Sequence, residues 1–348
     1  MLLAFTACSD SEPLSIAEVN KSGSAGAAGA IGKISYKAGQ AGSSGMPSSP
    51  MPVDILVPGA FDQRKTKNLP MRYEGGPIMA HDVNVYMIWY GDWNPNTTSI
   101  LEDMISNIAK TDWYMINNSY YQELIFDQYA NIGNKKFPIT LKSYKQYASS
   151  KINFMMSVTD LYSKGKDIDD SDMEKIISTL IKENKLPLDS NGIYVILTSQ
   201  DVDHSAYFGG FCSDFCGWHN YFPISNTNVK YSFVGDIEKC PKVCSVKKEY
   251  LDRDILSPNG DWSADGMASI IAHELVEVVT DPLPLFNRAW GDSSGYENAD
   301  KCSWTYGQLY KTENGSAANV KIGDRDFLIQ QNWVLDDSIG NGHCGLSR

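Results

Sequence analysis

The stretch "AHELVEVVTDP", Ala272 to Pro282, carries a His-Glu-x-x-Glu pattern. The spacing around it predicts a helix from near Asp265 to Pro282. Ser269, His273, Glu277 and Asp281 recur every fourth residue and share one stripe, with Glu274 beside it. Met267, Ile271, Leu275, Val278 and Val279 form the apolar face. A histidine and a carboxylate one turn apart reach the same cation. An acid directly after that histidine can hold a metal-bound water, as in the His-Glu-x-x-His zinc hydrolases. Glu277 stands here where the second histidine would be. The pattern predicts His273 and Glu277 as metal ligands and Glu274 as the general base that activates water.

A third ligand is expected downstream. "GYENADKC" offers Glu297, about twenty residues after Glu277, the separation at which thermolysin-like enzymes take theirs. Asp300, and Asp281 at the end of the helix, would then steady the ligands from behind. A histidine ligand favours Zn2+. Ca2+, which prefers about six to eight oxygens, is the alternative, and no ion is the third reading. The bland reading of the same residues is an acidic face turned to water, with His273 a surface histidine. His219, beside a cysteine, and His204, after a strand end, are weaker candidates. His81 and His343 receive no role.

Composition narrows the partners. The chain has 348 residues, 42% hydrophobic and 21% charged, enough apolar material for one substantial core. Its formal net charge of -12 argues against a nucleic-acid partner, which needs a basic surface against phosphates. Beyond the N-terminus no stretch has the roughly 18 apolar residues of a membrane helix, so membrane contact is expected only through an N-terminal lipid. "MLLAFTACSDSEPL" reads as the end of a bacterial lipoprotein signal, with Cys8 as the lipid anchor. No basic segment precedes the apolar run, and Phe5 stands where a smaller aliphatic residue is usual. A secretory remnant with an incidental cysteine is therefore the competing reading. Both lead to export.

Six further cysteines, Cys212, Cys216, Cys240, Cys244, Cys302 and Cys344, are disulfide candidates, being even in number in an exported chain. "CSDFC" and "CPKVC" could instead hold zinc as a ribbon. Spacing alone does not assign the pairs.

These residues need a scaffold. Residues 1–8 read as a signal or lipobox remnant, and residues 9–74 as a Gly/Ser/Ala-rich flexible tether with a Pro-containing lead-in. Residues 75–348 read as one globular domain. "VNVYMIWYGDW" and "NGIYVILTSQDV" predict buried strands, "VKYSFVGD" a third and "RDFLIQQNWV" a fourth. "NTTSILEDMISNIAKT", capped by Thr97 or Thr98, "NSYYQELIFDQYA" and "DDSDMEKIISTLIKENKLP" predict helices. The expected class is α/β, with α+β as its neighbour: helices packed on a mixed sheet, one of them zincin-like.

"YFGGFCSDFCGWHNYF", "VKYSFVGDIEKCPKVC", "SADGMASIIAHELVEVVTDPLP" and "NADKCSWTYG" form an ordered series. Together with "PIMAHDVNVYMIWYGDW" and "RDFLIQQNWVLDD…GHC", it resembles the exordium family, or phosphate-induced proteins, over about residues 75 to 345. The resemblance implies export to the cell wall or extracellular space, disulfides and, in plants, a link to growth promotion. It implies no particular chemistry. The sequence thus predicts an exported exordium-like protein with a His-Glu-x-x-Glu metal site. It would be a zinc-dependent hydrolase or peptidase acting on an extracellular polypeptide or cell-surface polymer. The alternative is a non-catalytic surface or matrix protein with a structural or degenerate site.

Overall fold

The computed structural model describes residues 69–348, apart from 133–134, 207–208, 241–242, 245–256 and 285, and apart from the side chains of 126–142. The expected signal with Cys8, and the tether up to residue 68, lie outside the described residues.

The first long strand, β1 (Val83–Tyr90), is buried at every position except Asn84. An apolar run of this kind suits a strand covered on both faces. It stops short of Trp93 because Gly91, at φ 105°, turns the chain. Helix α1 (Pro95–Asn107) is capped by Asn94, whose side chain accepts the Asn96 N–H, with Pro95 in its first turn. The expected caps lie inside the helix. Thr97 spends its hydroxyl on Asp261, 2.6 Å away.

"NSYYQELIFDQYA" is not a helix. Tyr114–Ser119 is a 3-10 turn, and β2 (Tyr121–Ile132) follows it, paired antiparallel with β3 (Lys135–Tyr147). Tyr121, Ile125 and Phe126 favour a strand, and the long partner satisfies its backbone, which outweighs a weak helical spacing.

The remaining central elements are β4 (Ile152–Asp160), α2 (Asp170–Lys182), β5 (Gly192–Thr198), β6 (Gly217–Ile224) and β7 (Thr227–Gly235). Asp169 and Asp172 cap α2 reciprocally. One sheet of order β6-β7-β5-β1-β4 results, parallel except for the β6–β7 hairpin. The α/β class with a mixed sheet holds, and β4 and β6 are strands that the sequence reading did not anticipate.

Helix α3 (Trp262–Thr280) starts at Asp261, whose side chain accepts the Ala264 N–H. Every residue of α3 is buried, so the reading of acids facing water is overturned. The helix packs on β6, β7 and α1. Paired residues of an antiparallel hairpin share a side, so His219 and Ser232 face together and Phe233 faces away. His204 stacks on Phe233 at 4.5 Å and lies 3.3 Å from Asp170 of α2. Helix α2 therefore covers the face opposite α3, and the sheet is sandwiched.

"RDFLIQQNWV" is also not one strand. Arg325–Phe327 pairs with Val320–Ile322, whereas β8 (Asn332–Leu335) pairs with β9 (Gly342–Gly345). Asn319 separates them: its side chain accepts the Ile329 N–H at 2.8 Å and donates to the Ile329 carbonyl at 2.6 Å. The six cysteines form three disulfides, Cys212–Cys240, Cys216–Cys244 and Cys302–Cys344, in place of a zinc ribbon.

Candidate metal centre

Helix α3 and strand β6 touch closely because Gly217 has no side chain. A Cβ there would sit 2.7 Å from Ile270 Cγ2 and 3.0 Å from Glu274 Oε1. Two residues along the same face, His219 points at α3. Its Nδ1 lies 3.3 Å from Glu274 Oε2 and 3.6 Å from Glu277 Oε2, and its Nε2 lies 3.6 Å from Glu297 Oε1.

His273 lies on the other side of Glu277. Its Nε2 is 3.2 Å from Glu277 Oε1 and 3.4 Å from Asp300 Oδ1. The segment carrying the downstream acids is tied to the helix: the Asp300 N–H donates to Glu277 Oε1 at 3.1 Å, and the Glu297 N–H donates to Asp300 Oδ2 at 3.1 Å. The Cys302–Cys344 disulfide joins the end of this turn to β9.

The structure brings His273, Glu274, Glu277, Glu297 and Asp300 into one cluster, with the two downstream acids in exchanged places. Asp300 sits beside His273 and Glu277, and Glu297 sits behind His219. Asp281 lies at the edge, where its Oδ1 accepts the Ala289 N–H at 2.8 Å and its Oδ2 is 3.5 Å from Arg288 Nε. Burial raises its carboxyl to about 6, despite the pull of Arg288. His219, a weaker candidate from its sequence setting, lies within the cluster. The signal was the Gly-x-His alternation of "CGWH", which matters only once that segment is known to be a strand. His204 lies on the opposite face of the sheet, and His81 and His343 are exposed.

His219, His273, Glu274 and Glu277 have no solvent exposure, and Glu297 and Asp300 have at most 2%. Burial opposes charge on His273, but Glu277, the Asp300 carboxylate and Glu274 outweigh it and hold its pKa well above the usual range. The Gln330 amide nitrogen lies 2.7 Å from His273 Nδ1 and donates to the Ala299 carbonyl at 3.1 Å. Among the described residues, Glu274 Oε1 and His219 Nε2 have no hydrogen-bond partner.

Among the described residues, two triads have donor atoms within 4.8 Å of one another: His219, Glu274 and Glu277, and His273, Glu277 and Asp300. Imidazole nitrogen with carboxylate oxygen suits zinc or another transition ion better than calcium, so the residues fit a bound cation.

Residues 71–327 match the family model described as the phosphate-induced protein 1 conserved region. The chain is similar to Protein EXORDIUM-like 3 of Arabidopsis thaliana, 29% identical over 294 residues, covering 76% of this chain and 80% of that protein. It is also similar to Protein EXORDIUM of Arabidopsis thaliana, 24% identical over 292 residues, covering 74% and 84%. Protein PHOSPHATE-INDUCED 1 of Nicotiana tabacum is 24% identical over 241 residues, covering 63% and 67%. No solved structure matches. These relatives and the three disulfides fit a secreted or extracellular protein. With the model spanning most of its length, the chain belongs to the phosphate-induced, exordium-like family.

Proposed function

We propose that this protein works outside the cell with a divalent cation, zinc or a similar transition ion, held by His273, Glu277 and Asp300 in the core of its fold. The observation that carries this reading is the enclosure of the donors. A helix that sends His273, Glu274 and Glu277 into the interior toward two further acids gathers carboxylates around two histidines, and buried charge is costly unless it is balanced there. An ion sealed on all sides acts as a structural clamp, fastening α3 to the turn that carries Glu297 and Asp300.

Glu274 supports a second, hydrolytic reading. It follows His273 directly, and its Oε1 makes no hydrogen bond that would occupy it. In this role it would draw a proton from water beside the ion, for attack on a peptide or related carbonyl of an extracellular polymer. Lipid attachment through Cys8 is the corresponding proposal for the N-terminus, tested by the mass of the mature N-terminal peptide.

Elemental analysis of protein prepared without a metal-affinity tag tests the ion. At least one equivalent per chain is expected, and metal-free protein that also fails to take up added Zn2+ contradicts it. Glu274→Gln separates the two roles. It retains the His273 ion under both, and abolishes peptide hydrolysis only under the second.

A further inference from the structure

We infer that the buried cluster holds two divalent cations, with Glu277 as the bridging carboxylate between them. This rests on the reading that the cluster binds a cation at all. The second ion would sit among His219, Glu274 and Glu277, on the side of Glu277 away from His273.

Three observations carry it. The two triads share Glu277 and divide its oxygens: Oε1 faces His273 Nε2 at 3.2 Å, and Oε2 faces His219 Nδ1 at 3.6 Å. A carboxylate with its two oxygens turned to different histidines is placed to bridge two ions. Second, the His219 side is equipped as a site in its own right. Glu274 Oε1 is fully buried without a hydrogen-bond partner, an arrangement that a ligand would relieve. Behind His219, Glu297 Oε1 faces Nε2 at 3.6 Å, where a carboxylate favours the tautomer with its proton on Nε2 and leaves Nδ1 free to ligate.

The third observation is charge. Glu274, Glu277, Glu297 and Asp300 place four carboxylates in one enclosed space. Arg288 and Lys301 are engaged at its margin, Arg288 with Asp281 and Glu74 and Lys301 with Asp292 at 3.3 Å, and His273 gives up its own charge when it ligates. One divalent ion balances half of the four charges, and two balance all of them. Paired ions bridged by carboxylates lie about 3.5–4 Å apart in known two-metal sites. The shared residue makes occupancy of the two positions interdependent.

The test uses full-length exported protein with its disulfides intact, stripped by chelator, loaded with Zn2+ alone and freed of excess ion. Two zinc ions per chain are expected. One ion per chain overturns the bridged pair and leaves the single-ion reading standing, and none overturns both. His219→Asn should lower the count from two to one, and a variant that still holds two places the second ion elsewhere and overturns the inference. Loading the unaltered protein with Mn2+ requires no variant to fold. Two bridged ions give an exchange-coupled paramagnetic resonance spectrum, and two uncoupled signals contradict the bridge.

Discussion

His219 on β6 and Glu274 on α3, separated by 55 residues in the chain, lie 3.3 Å apart with neither side chain exposed to water. That contact exists because β6 is a strand at the end of the sheet and Gly217 lets the helix come close. It turns a helical His-Glu pair into one part of a centre with donors from three chain segments.

Gly217→Ala tests the close approach. The added methyl would meet Ile270, Glu274 and the Phe233 carbonyl, the last being backbone that cannot swing aside. Overpacking of this kind costs about 1–3 kcal/mol. Denaturant unfolding should show a loss in that range, accompanied by weaker metal binding. An unchanged midpoint would mean that helix and strand are not in tight contact.

Gln330→Leu tests the support behind His273. The amide nitrogen lies 2.7 Å from Nδ1, and turned over so that its oxygen accepts the Nδ1 proton the amide would fix the tautomer that presents Nε2 to the ion. Removing such a partner weakens metal binding by roughly 10–100-fold. Zinc affinity measured against a competing chelator checks this, and unaltered affinity would remove Gln330 from the centre.

The disulfides are open to direct mapping. Peptide mass spectrometry without reductant should recover Cys212–Cys240, Cys216–Cys244 and Cys302–Cys344, and no free thiol among these six. In the chain-entropy picture, closing loops of this length contributes about 3–4 kcal/mol each. A different pairing would detach the turn bearing Asp300 from β9.

Parts of this were legible beforehand. Runs such as Val83–Tyr90 and Gly192–Thr198 announce buried strands, because a central parallel strand needs apolar residues on both faces. His273, Glu274 and Glu277 were readable because helical spacing is local. The exchange of Glu297 and Asp300 was not, since it depends on a turn tied to Glu277 by the Asp300 N–H across 23 residues. His219 was misjudged for the same reason: its neighbours come from strand pairing, which leaves no mark within its own segment. Tyr121–Ile132 misled because its apolar spacing fits a helix until its partner strand is known.

Glu174 gives a pH dependence on the far side of the sheet. Burial, with Asp170 adding repulsion, raises its carboxyl to about 8 from 4.5, and Lys175 opposes only weakly. A folded-state pKa above the unfolded value means the native state binds the extra proton. Stability from this group is present below about 4.5 and lost as pH rises toward 8. Glu174→Gln should therefore raise Tm at pH 8 and change it little at pH 4.5. An equal effect at both pH values would contradict the shift.

The central claim is that the buried His-Glu-x-x-Glu cluster exists to hold a cation. The most direct measurement is calorimetric titration of Zn2+ into chelator-stripped parent protein and His273→Ala, at two pH values. Tight stoichiometric binding by the parent is predicted, weakening as pH falls because His273 must release its proton to ligate. His273→Ala should lose the ion shared with Glu277 and Asp300. Equal binding by the two proteins, or no binding by either, would contradict the account.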